Sequence, residues 1–293
     1  MPDVCGFSFI TRESEVFKNT YREFTAGPAY FYSITLRRLS STILIVTKIG
    51  SDYMNIVSEL KKIGIDVIVR ESSVTTSFHT IYGKSLDERF IEVRAVAEPF
   101  SIPDLNLCPT VKYIYIGPLT TKDFDLEFIR AASKKAPIIL DAQGFTREVV
   151  DSRIRYTDWS WKVEGLKYIN ILKVDRFEAK LLTGYSNVEE ALDELISMGP
   201  DEVLLTSSEG VYLRVKGYST FYAPFIVDEI RGRVGRGDTC TAAYTHAKLR
   251  GWPYDFAVKF AAATTSIKLS YQGPFRDNEK KVFMYIKEKY ESA

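Results

Sequence analysis

Gly232-Arg233-Val234-Gly235-Arg236-Gly237-Asp238-Thr239 is the stretch on which the reading of this chain turns. The residues after it, Cys240 to Leu249, have helix-forming composition, and Gly251 closes them. Three glycines therefore crowd the entrance to a helix. Glycine there lets backbone N–H groups approach an anion, and the helix N-terminus adds about half a positive charge. An aspartate in the same turn can take a proton from a nucleophile. Together these groups suit phosphoryl transfer, in which amides hold developing negative charge while an acid activates a hydroxyl. Plainer readings compete: Asp238 as an ordinary helix N-cap, and the glycines as a tight turn. The segment is not a dinucleotide GxGxxG, because Cys240 occupies the sixth position, and it is not a P-loop. Arg236-Gly237-Asp238 also spells a cell-adhesion tripeptide, read as a chance match.

Working outward, strand-like and helix-like segments alternate. Ile43 to Val46 is a β-branched run, Ser51-Asp52 offers an N-cap, and Gly64 stands at a helix C-terminus before a strand over Ile65 to Val69. Further strands are predicted at Tyr113 to Ile116, Pro137 to Asp141, Tyr168 to Leu172 and Glu202 to Thr206. Helices are predicted from about Asp123 to Lys135 and after Asn187. Continuous apolar strands between helices imply an α/β fold with a mostly parallel sheet covered on both faces. Two segments break the rhythm. Glu13 to Thr25 has no helical stripe, and Ser72 to Ala97 alternates as wet-faced strands do. The expected layout is one domain over 1–293, with a small β-sheet lid contributed by about 11–25 and 72–97.

Composition limits the partners. The 293 residues hold 39 basic and 38 acidic side chains, a net charge of +1, so there is no basic footprint for nucleic acid. No run of about 18 apolar residues suggests a membrane span. The three cysteines are scattered, without a zinc pattern, which predicts reduced thiols and a cytoplasmic location. Two glutamines and six asparagines among many Lys, Arg and Glu suit a thermophile.

Gly235-Arg236-Gly237-Asp238, near the end of an α/β chain of this length, resembles the GAGD signature of ribokinase-like (PfkB family) carbohydrate kinases, with Arg236 at the alanine. Other segments follow in the family's order. Ala26-Gly27-Pro28-Ala29 with Leu36 to Leu39, and Thr47 to Asp52, resemble its N-terminal glycine motif and "vG.D" block. Asp141 to Arg147 resembles the central acidic block of archaeal and plant inositol-kinase-like members. Asp175-Arg176-Phe177-Glu178 is similar to NxxE, and Thr206 to Gly210 stands where the family has TxGxxG.

The resemblance implies an ATP-dependent kinase acting on a hydroxyl of a sugar, a cyclitol such as inositol, or a nucleoside. Asp238 would be the general base, and the amides of Gly235, Arg236 and Gly237 the anion hole. Asp175 and Glu178 would order Mg²⁺ through water, and Thr206 and Gly210 would lie by the nucleotide. Thr11, Gly27, Asp141, Gln143 and Arg147 would face the acceptor. The lid could pair between subunits as a homodimer. Two rivals are a non-catalytic sugar or nucleotide sensor of the same fold and an oxidoreductase, the second opposed by the missing dinucleotide fingerprint. His79 reads as a strand-surface residue, His246 as structural, Cys240 as buried filler, and Tyr30 to Tyr32 as packing for the helix after Gly27.

Overall fold

Val4 to Ser8 is buried at every residue, as is Ile43 to Ile49, so both must run through the middle of a sheet covered on both faces. The computed structural model, which describes residues 1–18, 20–83 and 89–291, places them side by side and parallel.

Among the described residues, fifteen strands form two sheets. The larger contains β1 (Val4–Ser8), β4 (Ile43–Ile49), β5 (Asp66–Glu71), β8 (Tyr113–Gly117), β9 (Ile138–Asp141), β12 (Ile171–Asp175), β13 (Glu202–Thr206), β14 (Gly210–Val215) and β15 (Phe221–Pro224). Their order is β15-β14-β13-β12-β9-β8-β1-β4-β5. The seven strands from β13 to β5 are parallel, and β14 and β15 add an antiparallel edge. The smaller sheet contains β2 (Thr11–Phe17), β3 (Thr20–Ala26), β6 (Ser77–Tyr82), β7 (Arg89–Ala95), β10 (Arg147–Val150) and β11 (Arg153–Tyr156). Its order is β10-β11-β7-β6-β2-β3. The α/β fold with a mostly parallel sheet and helices on both faces is therefore as expected. The segments 11–25 and 72–97 do supply strands of the second sheet, although residues 19 and 84–88 of them lie outside the described residues.

One apolar core lies under the helices Pro28–Arg38, Arg236–Leu249 and Tyr254–Leu269. The other lies under Leu126–Ser133, Arg176–Thr183 and Val188–Ser197. Arg236–Leu249 and Tyr254–Leu269 are rich in Ala and Thr and buried on nearly every face. Several of their threonines bond the backbone one turn back: Thr241 donates to the Gly237 carbonyl at 2.9 Å, and Thr264 to that of Phe260 at 2.8 Å.

Three local expectations change. Ser51 and Asp52 do not cap one long helix: a short turn, Ser51–Tyr53, precedes the helix Asn55–Lys62. The helix of about 123–135 is shorter, Leu126–Ser133, because Asp125 accepts from the Phe128 amide and caps it. The β10–β11 hairpin was not expected at all. Asp151 and Ser152 turn it with φ of 49° and 59°, the left-handed pair that matches strand twist.

Candidate active site

Parallel sheets present their C-terminal strand ends to one crevice, and this crevice is where the acids gather. Asp141 is the last residue of β9, Asp175 of β12 and Thr206 of β13. Register sets Lys173 beside Asp141 and Asp175 beside Thr206. A cleft of about 800 Å³ runs along these ends and is bounded on one side by Glu13, Phe78 and Thr80 of the second sheet.

The N-terminus of the helix Arg236–Leu249 points into this cleft. Gly235 precedes it with φ +77°, and a Cβ there would lie 2.3 Å from the Phe31 ring, so only glycine fits. The helix starts four residues earlier than the sequence suggested, which puts Asp238 inside the first turn. Gly235 is the N-cap and no side chain among the described residues caps this helix, so Asp238 is not the N-cap, and its carboxylate is left to the cleft. First-turn amides have no acceptor within a helix. The Arg236 amide turns back to the Arg233 carbonyl at 3.2 Å, leaving those of Gly237 and Asp238 at the mouth.

Charge is dense here. Lys173, itself 3% exposed, holds Asp141 at 3.1 Å and Glu178 at 3.8 Å. Burial pulls its ammonium down, but Asp141 and Glu178 outweigh that and hold it above its ordinary value. Its Nζ lies 2.8 Å from where a Cβ on Gly237 would stand, directly against the first turn. Burial, then the Asp141 carboxylate, pushes the Asp238 carboxyl up to about 7, with Lys173 and Lys268 opposing. Such a value suits a group that takes a proton near neutrality.

Of the residues expected at the site, Gly27, Asp141, Gln143, Arg147, Asp175, Thr206, Gly235, Arg236, Gly237 and Asp238 line the one cleft. The Gln143 backbone N–H donates to the Asp141 carboxylate at 3.0 Å, and the Arg147 Nε is buried without a hydrogen-bond partner among the described residues. Thr11 does not line the cleft: it is buried, donating to Glu13 at 3.0 Å, and Glu13 takes the place at the wall. Gly210 lies in β14 behind Ser208, which lines the cleft instead.

Asp175 and Glu178 cap each other: the Glu178 amide donates to Asp175 at 2.8 Å and the Asp175 amide to Glu178 at 2.7 Å. Asp175 reaches the cleft, whereas Glu178 is buried and burial pushes it up to about 7. One reachable carboxylate with another behind it fits Mg²⁺, which takes few direct carboxylates and keeps its waters.

Sequence reading missed Lys173, Lys268 and the arginines Arg231 and Arg233. Lys173 alternates with apolar neighbours inside a buried strand, a placement that costs too much for a lysine without acids to meet it. That signal was available. Among the single residues, His79 is buried on the second sheet beside Ser14, at 2.8 Å, and not on its surface. His246 is structural, bonded to Ser41 and Glu279, and Cys240 is buried, its thiol pushed up to about 12 by loss of water.

The profile of the pfkB family carbohydrate kinases matches residues 9–281. The chain belongs to this family, whose members are phosphotransferases acting on hydroxyl groups. It is similar to a solved pyrophosphate-dependent kinase in the ribokinase family, a sulfate complex. That likeness has 30% identity and TM-score 0.90, covering 97% of this chain and 100% of the other. Another such kinase, complexed with a pyrophosphate analog and myo-inositol, is 29% identical with TM-score 0.88, covering 96% and 99%. A ribokinase of Arabidopsis thaliana is 24% identical over 205 residues, 67% of this chain and 51% of the relative, so the match spans about half the relative's length. The fold of Arabidopsis ribokinase complexed with ribose and ATP matches with TM-score 0.76 at 19% identity, over 98% of this chain and 99% of the other.

Proposed function

We propose that this chain is a kinase that transfers a phosphoryl group to a hydroxyl of a cyclitol or sugar, with the second sheet as a lid over the cleft. One observation carries the reading. Asp238 stands in the first turn of a helix whose amides face the cleft, with Asp141, Gln143 and Arg147 lining the same cleft. The acceptor binds among those three residues and Gly27. Asp238 takes the hydroxyl proton, and the amides of the turn hold the charge that develops on the phosphoryl oxygens. Asp175, with Glu178 behind it, orders Mg²⁺, which neutralises the donor's phosphates. Thr206 lies at the donor end of the same crevice.

The donor is a polyphosphate. ATP is what the family resemblance implies. Pyrophosphate is favoured by two observations: Arg231, Arg233 and Arg236 all line the cleft, and the relatives at 29% and 30% identity are pyrophosphate-dependent. Crossing ATP and pyrophosphate with myo-inositol, ribose and inosine, and following phosphate-ester formation by phosphorus NMR, tests both. We expect a product with myo-inositol. Donor binding without a product from any pair would replace the kinase with a sensor of the same fold.

The pH dependence tests Asp238 separately. Only its deprotonated form accepts a proton, so kcat/KM should rise with pH through about 7 and then level off. A flat profile through neutrality would remove Asp238 from that role.

A further inference from the structure

We infer that Lys268 is a positioning residue that turns the Arg233 and Gly235 amides toward the anion hole, by donating two hydrogen bonds to the underside of the Gly232–Gly235 loop. This rests on the kinase reading above. Lys268 lies in the last turn of the buried helix Tyr254–Leu269 and is 0% exposed. Among the described residues no carboxylate forms an ion pair with it. Its Nζ donates instead to two backbone carbonyls, those of Gly232 at 2.8 Å and Val234 at 2.5 Å.

The geometry of the peptide bond gives this contact its meaning. A trans peptide points its C=O and N–H in opposite directions. With the Val234 carbonyl turned down to the ammonium, the Gly235 N–H must turn the other way. With the Gly232 carbonyl held likewise, so must the Arg233 N–H. Gly235 and Arg233 both line the cleft. A hydrogen bond accepted on the carbonyl side also polarises the peptide, which strengthens its N–H as a donor.

Three further contacts fix the same loop. The amides of Arg231 and Gly232 donate to the Leu269 carbonyl at 2.8 and 3.2 Å. The Lys268 Nζ stands 5.8 Å from the centre of the Phe31 ring, and this ring is the one packed against Gly235. A lysine buried here without an ion pair among the described residues is an expensive core residue that a methionine could replace by shape. Its use here is accounted for by the two carbonyls it holds. Burial pulls its proton affinity down to about 7, with Asp238 as the main opposing influence, so the cation and the base feel one another across the loop.

The test compares wild type, Lys268→Met, Lys268→Ala and Asp238→Asn. Fold is checked by circular dichroism and thermal melting, turnover with pyrophosphate and with ATP against myo-inositol, and pyrophosphate binding by calorimetry. Lys268→Met should fold, keep its KM for myo-inositol within a few-fold, and lose about 10²-fold in kcat, the loss typical of one misplaced oxyanion donor. Lys268→Ala should be partly rescued by ammonium chloride and not by tetramethylammonium chloride at equal ionic strength. A folded Lys268→Met with wild-type kcat overturns the inference, as does failure of both variants to fold, which would assign Lys268 to stability alone. If wild type turns over neither donor, the kinase reading fails by itself. Lys268 is then judged by pyrophosphate affinity, which should still weaken in Lys268→Met and would overturn the inference if unchanged.

Discussion

Asp238→Asn should lower kcat by about 10²- to 10⁴-fold, the range for removing a positioned general base, while donor affinity changes little. Asparagine keeps the shape and can donate a hydrogen bond, but it cannot take the acceptor's proton. The helix Arg236–Leu249 has no side-chain cap among the described residues to lose, so the amides should stay in place. Stability should move the opposite way. The folded-state value of about 7 lies above the usual 3.8 for aspartate. Folding therefore favours the protonated acid, and that contribution is fully present below the unfolded value and lost as pH rises through about 7. A neutral amide escapes this loss, so above pH 7 the variant should melt at a higher temperature than wild type. Turnover within a few-fold of wild type would rule out Asp238 as the base. A lower Tm in alkaline buffer would contradict the electrostatic picture of the crevice.

Gly27→Ala should cost on the order of 3 kcal/mol of stability and lower Tm by roughly 5 to 10 °C. Gly27 has φ +92° and ψ 155°, a region almost closed to other residues. A Cβ there would meet the Phe9 carbonyl at 2.4 Å and the Thr11 amide at 2.9 Å. Neither can yield without moving backbone at the junction of β1 and β2. The Ala29 amide donates to that same Phe9 carbonyl at 3.2 Å, so the helix Pro28–Arg38 would shift with it. Because Gly27 also lines the cleft, KM for the acceptor should rise along with the loss of stability. Melting curves and acceptor titrations check both; an unchanged Tm would mean that the junction is soft.

Residues whose role is set by their own neighbours were readable in advance. β4, β8, β9 and β13 are built on short buried apolar runs, and buried apolar runs between helices leave few alternatives. Asn187 caps its helix by accepting from Glu189 and Glu190, as its composition predicts. Asp141, Asp175 and Thr206 were singled out only through motif resemblance, yet their convergence is topological: each ends a parallel strand. Distant pairing was not readable. β11 meets β7 through Arg153 and Glu92, and nothing local to either residue announces the other. Lys268 is legible only when its helix is seen to end beneath the Gly232–Gly235 loop, since a lysine near a helix C-terminus ordinarily serves the dipole and water. Thr11 was misplaced for a similar reason. It sits where the family's pattern expects a ligand, but it is buried at the start of β2 with its hydroxyl bonded to Glu13, and the longer Glu13, two residues on along the same face, reaches the cleft wall.

The second sheet has a consequence for how the chain is made. It is knit from three stretches that begin at Thr11 and end at Tyr156, and its β2–β6 pairing is parallel and non-local. β1, β4 and β5 can assemble once residue 71 has emerged, whereas β2 must wait for β6, and the outer hairpin comes later still. At about 5–20 residues per second, a nascent chain spends on the order of ten seconds with one wall of its crevice unbuilt. Throughout that interval Phe78 and its neighbours lie open to any apolar surface.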